Sequence, residues 1–242
     1  MPKTFYFICL IFVILFFSVT LIAQDDSSSS SSQSAQGRKA RDTDGAKAAE
    51  AEGTDLLFKK HDVKAAIDSF KKAVKLDPWY GHSYIMLGLA YMQEQQWDEA
   101  QWAFEDAAKV EPENAQAWLG VGSALNEKKD YAGAQKALEH CLKLQPDSAE
   151  GHYEMARTLW GQEKLEAAEG EAHRAIELNK DYASSHVLLG NIYVSELNAE
   201  GALAEFREAL RLDPNGPQAA EVKVMIGRIE KLMADSSSTR KH

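Results

Sequence analysis

His152 and His186 stand 34 residues apart, with His82 and His173 as further imidazoles in the same half-regular pattern. Imidazoles at a fixed interval could ligate a metal ion. However, both occupy a column held earlier in the chain by Tyr84 and Trp118, which reads as packing. If the interval reflects stacked helices, equivalent residues lie about 10 Å apart, too far for one ion to bridge. No metal and no cofactor is therefore expected. The carboxylate pairs Glu163–Glu166 and Glu169–Glu171 lack a partner base in the same register. There is no phosphate-binding glycine loop, nucleophile elbow, HExxH or paired CxxC. The two cysteines are Cys9 and Cys141, and Cys141 takes a place where alanine recurs, as a small filler would. Tyr153, Arg157 and Trp160 form a different kind of cluster. Spaced by four and three, they share a helix face, and these residue types dominate protein-binding hot spots. The chemistry on offer is recognition, not catalysis.

What must position such residues is a repeat of 34. Prolines 78, 112, 146 and 214 each close a segment of the form "KAAIDSFKKAVKLDP", and Lys180 stands in register without the proline. One column is always alanine: Ala66, Ala100, Ala134, Ala168 and Ala202. A second is small throughout: Ala73, Ala107, Cys141, Ala175 and Ala209. A third is Phe70, Phe104, Leu138, Ala172 and Phe206. Their spacings place them on one face of a helix, the small residues allowing close approach and the large ones filling gaps. Upstream, Leu57, Tyr91, Leu125, Leu159 and Tyr193 mark another helix, with Thr54, Gly88, Gly122, Ala156 and Gly190 before them. Gly53 of the first unit falls in a column otherwise filled by Leu87, Val121, Met155 and Leu189, so that opening helix is expected to be degenerate. Asp62, Asp130 and Asn198 are expected N-caps of the second helices, and Asn114 and Ser148 of the following first ones. A period of this size marks a stacked array of helix–turn–helix units.

The segment "YIMLGLAYMQEQQWDEAQWAFEDAAKVEP", residues 84–112, resembles the tetratricopeptide repeat almost throughout, in Tyr84, Leu87–Gly88, Tyr91, Ala100, Phe104, Ala107 and Pro112. The resemblance covers residues 47–216 as five repeats, 47–80, 81–114, 115–148, 149–182 and 183–216, with departures in the first and fourth. It implies an all-α, right-handed solenoid whose first helices line a concave surface, and a protein or peptide partner held there. On that surface the expected outward columns are His82, Ile85, Leu89 and Met92; Gln116, Leu119, Ser123 and Asn126; Glu150, Tyr153, Arg157 and Trp160; and Ser184, Val187, Asn191 and Val194. The candidate partner-binding set is Ile85, Leu89, Met92, Leu119, Tyr153, Arg157, Trp160 and Asn191. Packing between adjacent first helices is the competing reading for any one of them. The carboxylate clamp of some family members, built from Lys, Asn and Arg, is missing: Ala51, Asp55, Ile85, Leu89, Leu119 and Ser123 stand there instead.

The flanks are of other composition. Residues 5–23 are a mostly apolar run with Lys3 before it and Ala23 at its end, read as a cleavable signal peptide over residues 1–23, with a signal anchor as the alternative. Either way the array is expected to be exported, to a periplasm or outside the cell. Residues 24–46 are serine-rich and read as a flexible linker. Residues 217–234 carry the stripe Val222, Met225, Ile226, Ile229 and Met233 and read as a capping helix, followed by a polar tail, 235–242. A net charge of −10 excludes nucleic acid as a partner. The expected role is a non-catalytic binding module or adaptor holding a segment of an envelope or secreted protein. The alternative is a self-associating scaffold, or an accessory subunit of an envelope complex such as a polysaccharide-handling one.

Overall fold

The computed structural model describes residues 41–239. The expected signal segment and most of the serine-rich stretch lie outside them. Eleven helices and no strand occur among the described residues. They pair as α1 (Thr43–Phe58) with α2 (Val63–Leu76), α3 (Gly81–Gln93) with α4 (Trp97–Val110), and α5 (Ala115–Glu127) with α6 (Tyr131–Leu144). The series continues with α7 (Ala149–Gly161) and α8 (Leu165–Leu178), then α9 (Ala183–Ser195) and α10 (Ala199–Leu212). A last helix, α11 (Ala219–Thr239), packs on α10.

Local chemistry sets these boundaries. Asp62, Asp130 and Asn198 accept hydrogen bonds from the backbone N–H of Ala65, Gly133 and Gly201, as their column predicts. Asn114 and Ser148 likewise cap α5 and α7 through Gln116 N and Gly151 N. Between the helices of each pair one residue is left-handed: His61, Gln95, Lys129, Glu163 and Leu197, all with φ between 56° and 62°. The second helices end at equivalent residues whether or not the proline follows. Asn179 closes α8 in extended geometry just as Asp77 closes α2.

Packing explains the glycine column. A Cβ on Gly88, Gly122 or Gly190 would lie 2.7, 2.5 or 2.5 Å from the side chain of Phe104, Leu138 or Phe206. The fourth repeat exchanges both partners, with Ala156 and Ala172 in these columns, each fully buried. The first repeat differs from expectation. Gly53, not Thr54, meets the phenylalanine, at 2.6 Å from Phe70, so the glycine does its work one residue upstream and α1 is a full helix. Nor does α1 begin near 47. Asp42 caps it by accepting from Gly45 N, and Ala46 and Ala49 are buried, which takes residues 43–46 out of the expected linker. At the other end, Pro217 lies in a turn and α11 runs from 219 through most of the expected tail. Val222 and Ile229 are buried against Leu203, Phe206 and Ala209, with Met225, Ile226 and Met233 half-buried beside them.

Each first helix also touches the first helix of the next repeat, whereas no comparable contact joins successive second helices. The layer in self-contact lies inside the bend, so α1, α3, α5, α7 and α9 line the concave side.

Candidate binding face

The inner columns divide in two. Leu89 is 43% exposed and Trp160 36%, both large and apolar, while Met92, Leu119, Tyr153, Arg157 and Asn191 are half-buried. Ile85 is only 3% exposed, and Val187 and Asn126 are buried as well. These three do not face a groove. Contact between neighbouring first helices covers Asn126, the helices α10 and α11 cover Val187, and Ile85 belongs to the core. Leu119 and Tyr153 lean on a second apolar cluster, around Leu138, Met155 and Leu159, while keeping an open edge.

The fourth repeat carries most of the polar structure. Arg157 donates from one guanidinium nitrogen to both carboxylate oxygens of Glu154 at 3.1 Å, and from the other to Glu127 Oε1 at 2.7 Å. Its guanidinium carbon lies 6.0 Å from the Tyr153 ring centroid, and Tyr153 packs at a tilt on Tyr182, centroids 5.2 Å apart. Asn126 donates to Glu154 Oε2 at 2.8 Å and accepts from the Thr158 hydroxyl at 2.8 Å. A buried carboxylate survives only when so bonded. Burial pushes the Tyr153 hydroxyl up to about 12, with Arg157 pulling the other way. Trp160 donates its indole N–H to Ser195 Oγ at 3.0 Å, reaching one repeat ahead. Arg157 is thus tethered within the inner face and is not a free anchor.

Sequence reasoning missed Glu127, Glu154 and Tyr182. A signal for Glu154 was present: its column holds Met86, Gly120 and Leu188 in the second, third and fifth repeats, with a carboxylate elsewhere only at Glu52 of the divergent first repeat, so a carboxylate there needs partners.

The chemistry-bearing residues resolve into structural pairs. His152 Nδ1 meets Glu171 Oε2 at 2.6 Å and His186 Nδ1 meets Glu205 Oε2 at 2.7 Å, the same contact one repeat apart. His82 Nδ1 meets Glu50 Oε1 at 3.0 Å. No group of three or more metal-ligating side chains occurs among the described residues. Cys141 is 1% exposed, and burial, then Glu150, push its thiol up to about 11, which keeps it protonated.

A groove of about 1050 Å³ opens beside Gln116 and Leu119 of α5 and Glu150 of α7, with Glu111, Glu113 and Leu144 on its rim.

The tetratricopeptide repeat model matches residues 85–150 and 153–217, more than half of the sequence. The chain belongs to the tetratricopeptide repeat family. No curated protein matches it in sequence. Among solved structures it is similar to MamA of Desulfovibrio magneticus RS-1, at 21% identity over 72% of this chain and 98% of that one, with a TM-score of 0.60. It is similar to PilF of Pseudomonas aeruginosa at 18% identity, over 82% and 88% of the two chains, with a TM-score of 0.66. YrrB, described as a tetratricopeptide repeat protein with an unusual peptide-binding site, aligns at 21% identity over 72% and 90%, with a TM-score of 0.53. These likenesses establish the fold. As a tetratricopeptide repeat array, the molecule is a protein–protein interaction module.

Proposed function

We propose that this array is an exported adaptor that holds an extended segment of another envelope or secreted protein against its first helices. The observation that carries the reading is the exposure of Leu89 and Trp160 on that inner face, together with the groove of about 1050 Å³ at Gln116, Leu119 and Glu150. Large apolar side chains are left in water at a cost unless a partner covers them. The peptide-binding site of YrrB, on the same fold, agrees with this use. Export rests on the apolar run of residues 5–23 preceded by Lys3, and N-terminal sequencing of chain recovered from the envelope tests it. Protein that starts at Met1 there speaks for an anchor.

Crosslinking in the native envelope, followed by capture of the chain, identifies the partner. Trp160→Ala is then expected to leave the melting temperature within a few degrees while weakening the partner by about 2 kcal/mol or more. Loss of the fold would assign Trp160 to the core, and unchanged affinity would move the ligand elsewhere. Glu166 on α8 is exposed and serves as the control position. Glu171 does not, because it holds His152.

A second reading, a scaffold that self-associates, draws on an apolar hollow at the C-terminal end formed by Val194, Leu197, Ala199, Ile229, Leu232 and Met233. Concentration-dependent light scattering separates the two.

A further inference from the structure

We propose that the inner face of the third and fourth repeats is selective for a basic segment, one in which lysine or arginine side chains alternate with apolar ones. This deepens the groove reading above and depends on it.

The groove beside α5 and α7 is lined by Glu111, Glu113 and Glu150, and by no lysine, arginine or histidine. Glu113 and Glu150 enter no ion pair among the described residues, and Glu111 receives only the neutral amide of Asn114, at 2.8 Å. These carboxylates therefore keep their charge for a visitor. Leu119 and Leu144 provide apolar ground between them. Deeper in the same face, one cation, Arg157, is shared by two carboxylates, Glu154 and Glu127, so the balance there is also negative. The Tyr153 and Tyr182 rings stand alongside, and aromatic faces attract ammonium and guanidinium groups. Burial, then Tyr153, Glu154 and Glu150, push the Tyr182 hydroxyl up, and the opposing pull of Arg157 is the smallest of these influences.

The occupant follows from charge complementarity. An acidic segment, a nucleic acid or a second copy of this chain, itself at −10, would meet like charge. A lysine or arginine side chain can place its head among the glutamates while its stem covers Leu119. A purely apolar segment would leave the carboxylates partly desolvated and unmatched.

Selection of a displayed random-peptide library on the full-length chain tests this. The expected result is enrichment of lysine and arginine interspersed with leucine, isoleucine or phenylalanine, at the expense of aspartate and glutamate. The selected peptides should bind roughly threefold or more weakly to the chain carrying Glu113→Gln and Glu150→Gln, whose circular dichroism should match wild type. They should also weaken in about 1 M salt, where the screening length is about 3 Å. Peptides without a basic bias that are nonetheless lost on Gln116→Trp, which fills the groove, would overturn the charge assignment and leave the groove reading standing. A library that yields no binders, or binders indifferent to Gln116→Trp, would overturn both.

Discussion

Cys141 shows how one side chain can be conspicuous in a sequence and quiet in the fold. Its thiol holds its proton to about 11 instead of about 9, because it is buried and Glu150 is near. In the unfolded chain the thiol ionises first, so between these values the folded state binds more protons. Stability contributed by this group is therefore complete below pH 9 and is lost as pH rises towards 11. The difference in unfolding free energy between wild type and Cys141→Ala, measured from pH 7 to 11, should move steadily in the variant's favour, and alkylation at pH 8 should require unfolding. The glycine column makes a steric prediction. Gly122→Ala should destabilise by about 1–3 kcal/mol, since its Cβ would fall 2.5 Å from Leu138. Adding Leu138→Ala, which reproduces the fourth repeat's Ala156 and Ala172, should relieve the clash and leave a cavity cost. Additive urea midpoints in the double mutant would show that these residues do not meet. Small-opposite-large pairing was readable from the columns. The one-residue shift of Gly53 was not, because the spacing between helices in the first repeat is set by packing on Phe70 and not by the period.

At the scale of the element, the turn within each helix pair holds a non-glycine residue in the left-handed region, where a Cβ costs about 1–2 kcal/mol. Leu197 is the plainest case, being 91% exposed with nothing gained in packing. Leu197→Gly should raise the urea midpoint by the equivalent of about 1 kcal/mol, and Lys129→Gly should do the same independently. A lowered midpoint would mean that unfolded-state entropy outweighs the relieved strain. Helix identities and most caps were legible, since periodicity and cap residues act within a few positions of the chain. Orientation of the inner columns was legible only in part. Leu89 and Trp160 face outward, but Ile85 and Asn126 are buried between repeats and Val187 against α10 and α11, and their own helices carry no mark of how closely those neighbours approach.

Across the whole molecule the apolar core is not one body. Among the described residues one cluster runs from Leu57 to Ala137, a second from Leu138 to Ile192, a third joins α9, α10 and α11, and a small fourth gathers Ala46, Ala49 and Ala73. Asn126, Glu154, Thr158, Arg157 and Glu127 bridge the third and fourth repeats with polar contacts where the first two clusters part. Removing α11 would uncover Leu203, Phe206 and Ala209. Deletion of residues 217–242 should therefore lower solubility and the melting temperature more than it changes helicity per residue, as read by scattering and circular dichroism. A truncated chain that stays monomeric and equally stable would show that α11 is no cap.

No helix in this array makes substantial contact with one more than two places along the chain. Nothing early in the sequence waits for anything late. The pair α1–α2 can close once residue 76 has appeared, α3 then packs on both of its helices, and every later pair adds to a surface already made. Such short-range closure favours fast folding, and its rate should depend little on how many repeats follow. The chain can therefore fold in the order in which it emerges, one repeat after another, with only the newest apolar edge open at any moment.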